Sequence, residues 1–168
     1  MKLAYLEADK TGVVNTTLGA FAETLIARGV RVVGLTQTDT PRPKTHHCDM
    51  DVKVLPDGDV IRISQDLGAE ARGCRLNTDA LERAVAQVLP RLDDADVLIV
   101  NKFGKHEAEG RGFREVIAEA VARNIPVIVG TNGLNAQAFQ TFCGGEAQCL
   151  PTQLPSLLNW LLQDRAAA

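Results

Sequence analysis

The chain has 168 residues, a formal net charge of −3, and 45% hydrophobic and 23% charged residues, a composition that supports a packed core and is ordinary for a globular protein. The mild acidity and the lack of any Lys/Arg run exclude a general nucleic-acid binder, which needs a basic face. No stretch approaches the ~18 apolar residues of a membrane span, and the N-terminal apolar run is too short for a signal peptide, so a cytoplasmic protein without membrane insertion is expected. Its cysteines, Cys48, Cys74, Cys143 and Cys149, are then expected to be thiols.

Residues 2–6 predict a short apolar strand, followed by a polar, glycine-containing loop over residues 7–15. From Thr16 the apolar positions Leu18, Phe21, Ala22, Leu25 and Ile26 recur at helical spacing. Gly29 is placed to terminate that helix, and residues 30–35 predict a second buried strand. Strand, loop, helix and strand in this order open a parallel α/β fold. Residues 37–49, with two prolines, two histidines and a cysteine, read as a loop. Residues 50–55 and 60–64 flank Pro56-Asp-Gly-Asp59 and predict a hairpin. Residues 65–76 read as irregular. Asn77 or Thr78 caps a helix running through Leu81, Ala84, Val85, Val88 and Leu89. Val97-Leu-Ile-Val100 is the most apolar strand and is expected at the centre of the sheet. A helix over residues 112–123, a strand over 125–129, a short helix over 134–142 and a final helix over 151–163 complete the pattern. The whole chain, residues 1–168, reads as a single domain without repeats or a linker.

Two segments carry the chemistry. The first, Ala8-Asp-Lys-Thr-Gly-Val-Val-Asn-Thr-Thr17, has the position and length of a phosphate loop, in which backbone N–H groups surround phosphates, a lysine neutralises charge and a hydroxyl holds Mg²⁺. Thr16 stands at the hydroxyl position and Gly12 supplies a flexible turn. Asn15 replaces the lysine, Val14 replaces a glycine, and Asp9 occupies the first glycine position. Lys10 offers charge from the other side of the loop. The competing reading is a plain strand-to-helix connection capped by Asn15 or Thr16.

The second segment follows the central strand: Asn101, Lys102, Lys105, His106, Glu107 and Glu109. Ligands of open α/β sheets bind outside the carboxyl ends of the strands, and lysines near a helix N-terminus favour an anion. Glu107 is the candidate catalytic or metal-binding carboxylate. The competing reading is a solvated charged loop capping the sheet. Elsewhere, Arg72 and Arg75 flank Cys74 and suit an oxyanion; surface salt bridges are the alternative. His46, His47, Cys48 and Cys74 are candidate soft-metal ligands, with Asp49 and Asp51 as oxygen donors, although their spacing matches no standard zinc pattern.

Together the two segments resemble the small P-loop nucleoside-triphosphatase family, which joins a Gly-Lys-Thr-Thr loop to a strand ending in Asp-Glu-Ile-Gly-Lys-Met-Glu. Here Asn101-Lys-Phe-Gly-Lys-His-Glu107 keeps Gly104, Lys105 and Glu107 but replaces the Asp-Glu pair, so the Walker A and Walker B motifs are both degenerate. A closer, nearly full-length resemblance is to an uncharacterised bacterial domain family often encoded near molybdate-transport genes. It is carried by Gly34-Leu-Thr-Gln37, Ile63-Ser-Gln-Asp-Leu-Gly68, Gly73-Cys-Arg-Leu76 and Asn101-Lys-Phe-Gly-Lys-His-Glu-Ala-Glu-Gly-Arg-Gly-Phe113. The resemblance implies molybdenum metabolism as a context.

The expectation is therefore a three-layer, P-loop-NTPase-like α/β fold with a mainly parallel sheet and an added β-hairpin. It is expected to bind a small anionic ligand, either ATP or GTP with Mg²⁺, or molybdate, without efficient hydrolysis. Lys10, Thr11, Gly12, Asn15 and Thr16 are the loop donors; Asn101, Lys102 and Lys105 face them, and Arg72 and Arg75 close over the ligand. The alternatives are an active Mg²⁺-dependent triphosphatase, with Lys10 replacing the loop lysine and Glu107 or Asp66 holding the metal, and a scaffold that pairs with a protein partner.

Overall fold

The computed structural model describes residues 1–8, 12–43, 47–68, 70 and 75–163. Seven strands among them, β1 (Leu3–Glu7), β2 (Val32–Pro41), β3 (Cys48–Leu55), β4 (Val60–Arg62), β5 (Val97–Val100), β6 (Val127–Thr131) and β7 (Gln148–Leu150), form one sheet in the order β4-β3-β2-β5-β6-β1-β7. Strands β2, β5, β6, β1 and β7 run parallel, and β3 and β4 join antiparallel at one edge. The predicted central strand is the middle one. All four of its residues are fully buried, because neighbours pair on both sides and helices cover both faces.

Six α-helices lie among the described residues: α1 (Val13–Ala27), α2 (Thr78–Val88), α3 (Lys105–Ala108), α4 (Arg114–Ala122), α5 (Gly133–Phe142) and α6 (Leu154–Leu162). Strand alternation sorts β5 between two cores: Val97 and Ile99 pack with α1 and α6, Leu98 and Val100 with α2, α4 and α5. On α1 the buried residues Leu18, Phe21, Ala22 and Leu25 recur at the predicted helical spacing. Asn77 caps α2 as expected: its side-chain oxygen accepts the N–H of Ala80 at 3.0 Å.

Three local expectations are corrected. Residues 37–49 are not simply a loop. Strand β2 runs on to Pro41 and pairs with β3 from Gly34↔Leu55 to Pro41↔Cys48. Thr36, Thr38 and Thr40 alternate along it, and β-branched residues suit a half-exposed strand; the prolines fall only where the pairing ends. Helix α1 begins at Val13, not Thr16, because Gly12 takes a left-handed conformation (φ 89°) and is the N-cap, while Val14 packs against the α1-side core. Neither Asn15 nor Thr16 is the cap. Strand β7 and helix α3 lack a sequence signal, being only three and four residues long.

Pairing of β2 with β5 stops at Leu35↔Val100, so residues 36–41 continue with only β3 beside them. At ~3.3 Å per residue this carries the β2–β3 pair roughly 20 Å past the carboxyl edge of β5. The overhang stands beside the start of α1.

Candidate functional site

The first turn of α1 opens at the carboxyl ends of the parallel strands. Among the described residues no side chain caps it and it carries no acidic residue, so its first N–H groups keep their partial positive charge toward the sheet edge. The hydroxyls of Thr16 and Thr17 turn back to donate to the carbonyls of Gly12 and Val13, each at 2.9 Å. Gly130 on β6 lets the parts meet. A Cβ there would lie 2.2 Å from the Asn101 carbonyl oxygen and 2.5 Å from Val14 Cγ1.

Asn101, only 4% exposed, is the hub. Its Oδ1 accepts the Gln37 backbone N–H at 3.0 Å, extending the β2–β5 ladder by one side chain. Its Nδ2 donates to Asn15 Oδ1 at 2.8 Å. Asn15 Nδ2 in turn donates to Asp39 Oδ2 at 3.0 Å, and Gln37 Nε2 donates to Asp39 Oδ1 at 2.7 Å. The ends of the central strand and of the first helical turn are thus joined by two neutral amides bonded to each other. Asp39 and Gln37 were not foreseen. The threonine alternation over residues 36–40 was the available signal, but it marks a strand, not a site.

A cavity of about 660 Å³ begins at this network. Gly12, Asn15, Thr16, Gly19 and Ala20 of α1 form one wall; Thr36 to Asp39, Asp51 and Lys53 of the β2–β3 pair form the other. The opposite face of the same strand carries Val52 and Val54 into the core, leaving Asp51 and Lys53 on this side, where Ile26, Leu55 and Val60 add an apolar lining. Its charge is not simply anion-friendly. Two unit charges ~4 Å apart repel by about 4 kcal/mol at an effective dielectric of ~20, whereas a helix N-terminus contributes roughly 0.3–2 kcal/mol. Among the described residues no cation pairs with Asp39 to offset that repulsion.

The segment after β5 is organised from inside. Phe103 is fully buried, in edge contact with Phe139, and its N–H donates to the Gly130 carbonyl at 2.7 Å. Glu107 is 2% exposed; Oε2 accepts the Gly104 N–H at 3.0 Å and Oε1 the Phe113 N–H at 3.4 Å. Burial raises its pKa against those hydrogen bonds. Gly112, in the left-handed region at φ 60°, passes so close that a Cβ would lie 2.2 Å from Glu107 Oε1. His106 Nε2 lies 2.6 Å from Glu82 Oε1, which also accepts the Gly112 N–H at 2.9 Å. Burial works to raise the Glu82 pKa, but the His106 and Gly112 hydrogen bonds outweigh it and hold the carboxyl below its usual range. Glu82, His106 and Gly112 border a second cavity of about 400 Å³ with Thr78, Asp79, Arg111 and Glu115.

Of the residues expected to bind a ligand, Gly12, Asn15 and Thr16 line the larger cavity, and Asn101 joins it through Asn15. Lys102 and Lys105 are exposed and do not line it; Lys105 Nζ lies 3.6 Å from Glu109. Arg75 donates to the Cys48 carbonyl at 2.7 Å, which ties it to the start of β3. Lys10, Thr11, Arg72, His46 and Cys74 lie outside the described residues. His47 and Cys48 sit where β3 begins, and among the described residues no group of three or more His, Cys, Asp or Glu side chains is placed to hold a metal.

Comparison with known proteins places the chain. Residues 3–160 match the model of a family described as "Protein of unknown function (DUF2478)", and the chain belongs to that family. It is 34% identical over 148 residues to the molybdenum import ATP-binding protein ModC 2 of Bradyrhizobium diazoefficiens, a match that covers 88% of this chain but only 16% of that protein. In three dimensions it resembles THEP1 from Aquifex aeolicus, with a TM-score of 0.64 at 15% identity over 99% of this chain and 98% of that one. It also resembles a human cancer-related nucleoside triphosphatase, with a TM-score of 0.63 at 18% identity over 99% and 97% of the two chains. The α/β fold with its mostly parallel sheet is that of the THEP1-like P-loop proteins. No described helix is long and apolar enough to cross a membrane.

Proposed function

We propose that this protein binds a nucleotide-class ligand at the carboxyl edge of the sheet, without efficient hydrolysis, as an accessory of molybdenum metabolism. The observation that carries the reading is the 2.8 Å bond between Asn101 and Asn15. Phosphoryl transfer draws nearly all its acceleration from positioned charge, and this pair supplies none. The cavity volume of about 660 Å³ favours an organic ligand over a bare oxyanion, since small-molecule pockets run ~300–1,000 Å³ and a tetrahedral oxyanion fills little more than a few waters of ~30 Å³ each.

In this reading the amides at the start of α1, with Gly12, Asn15 and Thr16, hold the phosphates, and Lys10 and Thr11 join them from the preceding loop. Lys102, Lys105, Arg72 and Arg75 add long-range positive charge. Both Glu107 oxygens accept backbone N–H groups, which supports an ordering role for a residue that also remains the candidate carboxylate for any residual chemistry. The molybdenum context rests on the match to ModC 2, of whose length the chain spans about a sixth.

A thermal-shift panel with ATP, GTP, ADP, molybdate, tungstate and sulfate, each with and without Mg²⁺, tests the reading. A ligand at ~100 times its dissociation constant adds about 2.7 kcal/mol to the folded state. The expected result is a shift with nucleotides and no phosphate release. A shift with molybdate or tungstate alone recasts the protein as an oxyanion-binding accessory. Phosphate release abolished by Lys10→Ala makes it an active triphosphatase. No shift with any compound favours a scaffold whose partner is another protein.

A further inference from the structure

We propose that the larger cavity takes its ligand as a phosphate–divalent cation complex, with Asp39 as the protein carboxylate facing the cation. The inference rests on the nucleotide reading above and names what that reading lacks, a group to stand in for the missing acid of β5. The overhanging half of β2 supplies it. Asp39 lies one amide away from Asn101, through Asn15, on the rim of the cavity.

Three observations single out Asp39. Its partners are uncharged. Asp49, Asp51, Asp57, Asp66 and Asp96 each pair with an arginine, whereas among the described residues Asp39 accepts only from the side-chain amides of Asn15 and Gln37. Those two bonds fix the carboxylate and use one direction on each oxygen. A carboxylate has about four acceptor directions, so two stay open. Of the other acids of the cavity, Asp51 is engaged by Arg62 at 2.7 Å and 3.2 Å, and Glu23 stands roughly 15 Å along α1 from the helix start. Second, an anion arriving alone meets the negative charge of Asp39, and a cation between them turns that repulsion into attraction. Third, the described residues form no three-carboxylate cage. One carboxylate is what Mg²⁺ needs when phosphate oxygens and waters complete its octahedron. The cation therefore binds only together with the nucleotide.

The test is calorimetric titration of ADP with and without Mg²⁺ into the wild type, Asp39→Asn and, as a remote control, Asp57→Asn on the exposed β3–β4 turn. In the wild type and the control, Mg²⁺ tightens ADP at least tenfold. In Asp39→Asn the enhancement falls below twofold, while metal-free ADP binds as tightly as in the wild type or more so, because a repelling charge is gone. A structural defect would weaken both titrations together, and that result overturns the proposal, as does an enhancement that survives the substitution. If Asp39→Asn fails to fold, Mn²⁺ resonance spectra of the wild type decide: Mn²⁺ held only when ADP is present supports the site, and Mn²⁺ held equally without ADP overturns it. ADP binding that is indifferent to Mg²⁺ overturns this inference alone; no ADP binding under any condition overturns the nucleotide reading and this inference with it.

Discussion

Asn101 Nδ2 donates to Asn15 Oδ1 across 2.8 Å, joining the end of the central strand to the first turn of α1. The two residues are 86 positions apart in the chain, and Gly130 gives their elements room to approach, since a Cβ there would lie 2.2 Å from the Asn101 carbonyl oxygen and 2.5 Å from Val14 Cγ1.

Asn101→Leu keeps the branched shape at Cγ and removes both hydrogen bonds. It strands the Gln37 N–H and the Asn15 Oδ1, which are half-buried beside the cavity, so each orphan costs less than the ~1–3 kcal/mol of a fully buried one. Urea denaturation is expected to show that loss, and amide exchange at Gln37 to accelerate. A double-mutant cycle with Asn15→Ala is expected to give a coupling of about 0.5–3 kcal/mol; additive effects would show that the amide pair carries no energy.

Gly130→Ala and Gly19→Ala are expected to move stability in opposite directions. At Gly130 the new methyl meets the Asn101 carbonyl oxygen at 2.2 Å, and overpacking against backbone costs about 3 kcal/mol. At Gly19, inside α1, nothing lies within 4 Å, and alanine gains about 0.5–1 kcal/mol in helix propensity. Paired denaturation curves check both signs.

Phe103→Ala is expected to cost about 3–5 kcal/mol. The ring is fully buried against Phe139 and stacks on Phe142 at 5.9 Å between centroids. Since Phe103 anchors the segment that carries Glu107 and His106, exchange at Gly104 and Phe113 is expected to rise before global unfolding. Uniform protection would argue that the segment is held elsewhere.

Glu107 of that segment and Glu82 of α2, the partner of His106, respond to pH with opposite signs. The Glu82 pKa is lowered in the folded state, so its contribution is present above the unfolded carboxyl value of ~4.3 and is lost as pH falls through its folded pKa. The Glu107 pKa is raised by burial, so its contribution is full below ~4.3 and is lost as pH rises through its folded pKa. Glu82→Gln is expected to flatten the acid limb of the stability curve. Glu107→Gln is expected to remove the decline above ~4.3, at the cost of one acceptor for the Gly104 or Phe113 N–H. Melting temperatures from pH 3 to 8 read both; parallel curves for the two variants would contradict the assignment.

The order of the major elements was legible because periodicity survives in the sequence. Leu18, Phe21, Ala22 and Leu25 announced α1, Val97 to Val100 the central strand, and Pro56-Asp-Gly-Asp59 the β3–β4 turn, all as found. The tip of β2 was not legible, since prolines and histidines read as loop until a partner strand supplies eight paired positions, from Gly34↔Leu55 to Pro41↔Cys48. Nor was the burial of Glu107. A charged residue among lysines reads as solvated, and only the Gly104 and Phe113 N–H groups make its interior position tenable.

By itself the sequence determined most of the helices and strands, which strand is central, and that Asn15 and Asn101 each follow a strand of the sheet, because each of these follows from residue type and local spacing. The tertiary structure alone decided that those two asparagines touch each other, that Asp39 completes their network, and that a cavity opens beside them. The reason is that sheet order is set by pairing between strands far apart in the chain, and no local pattern encodes which side chains the overhang of β2 brings to the start of α1.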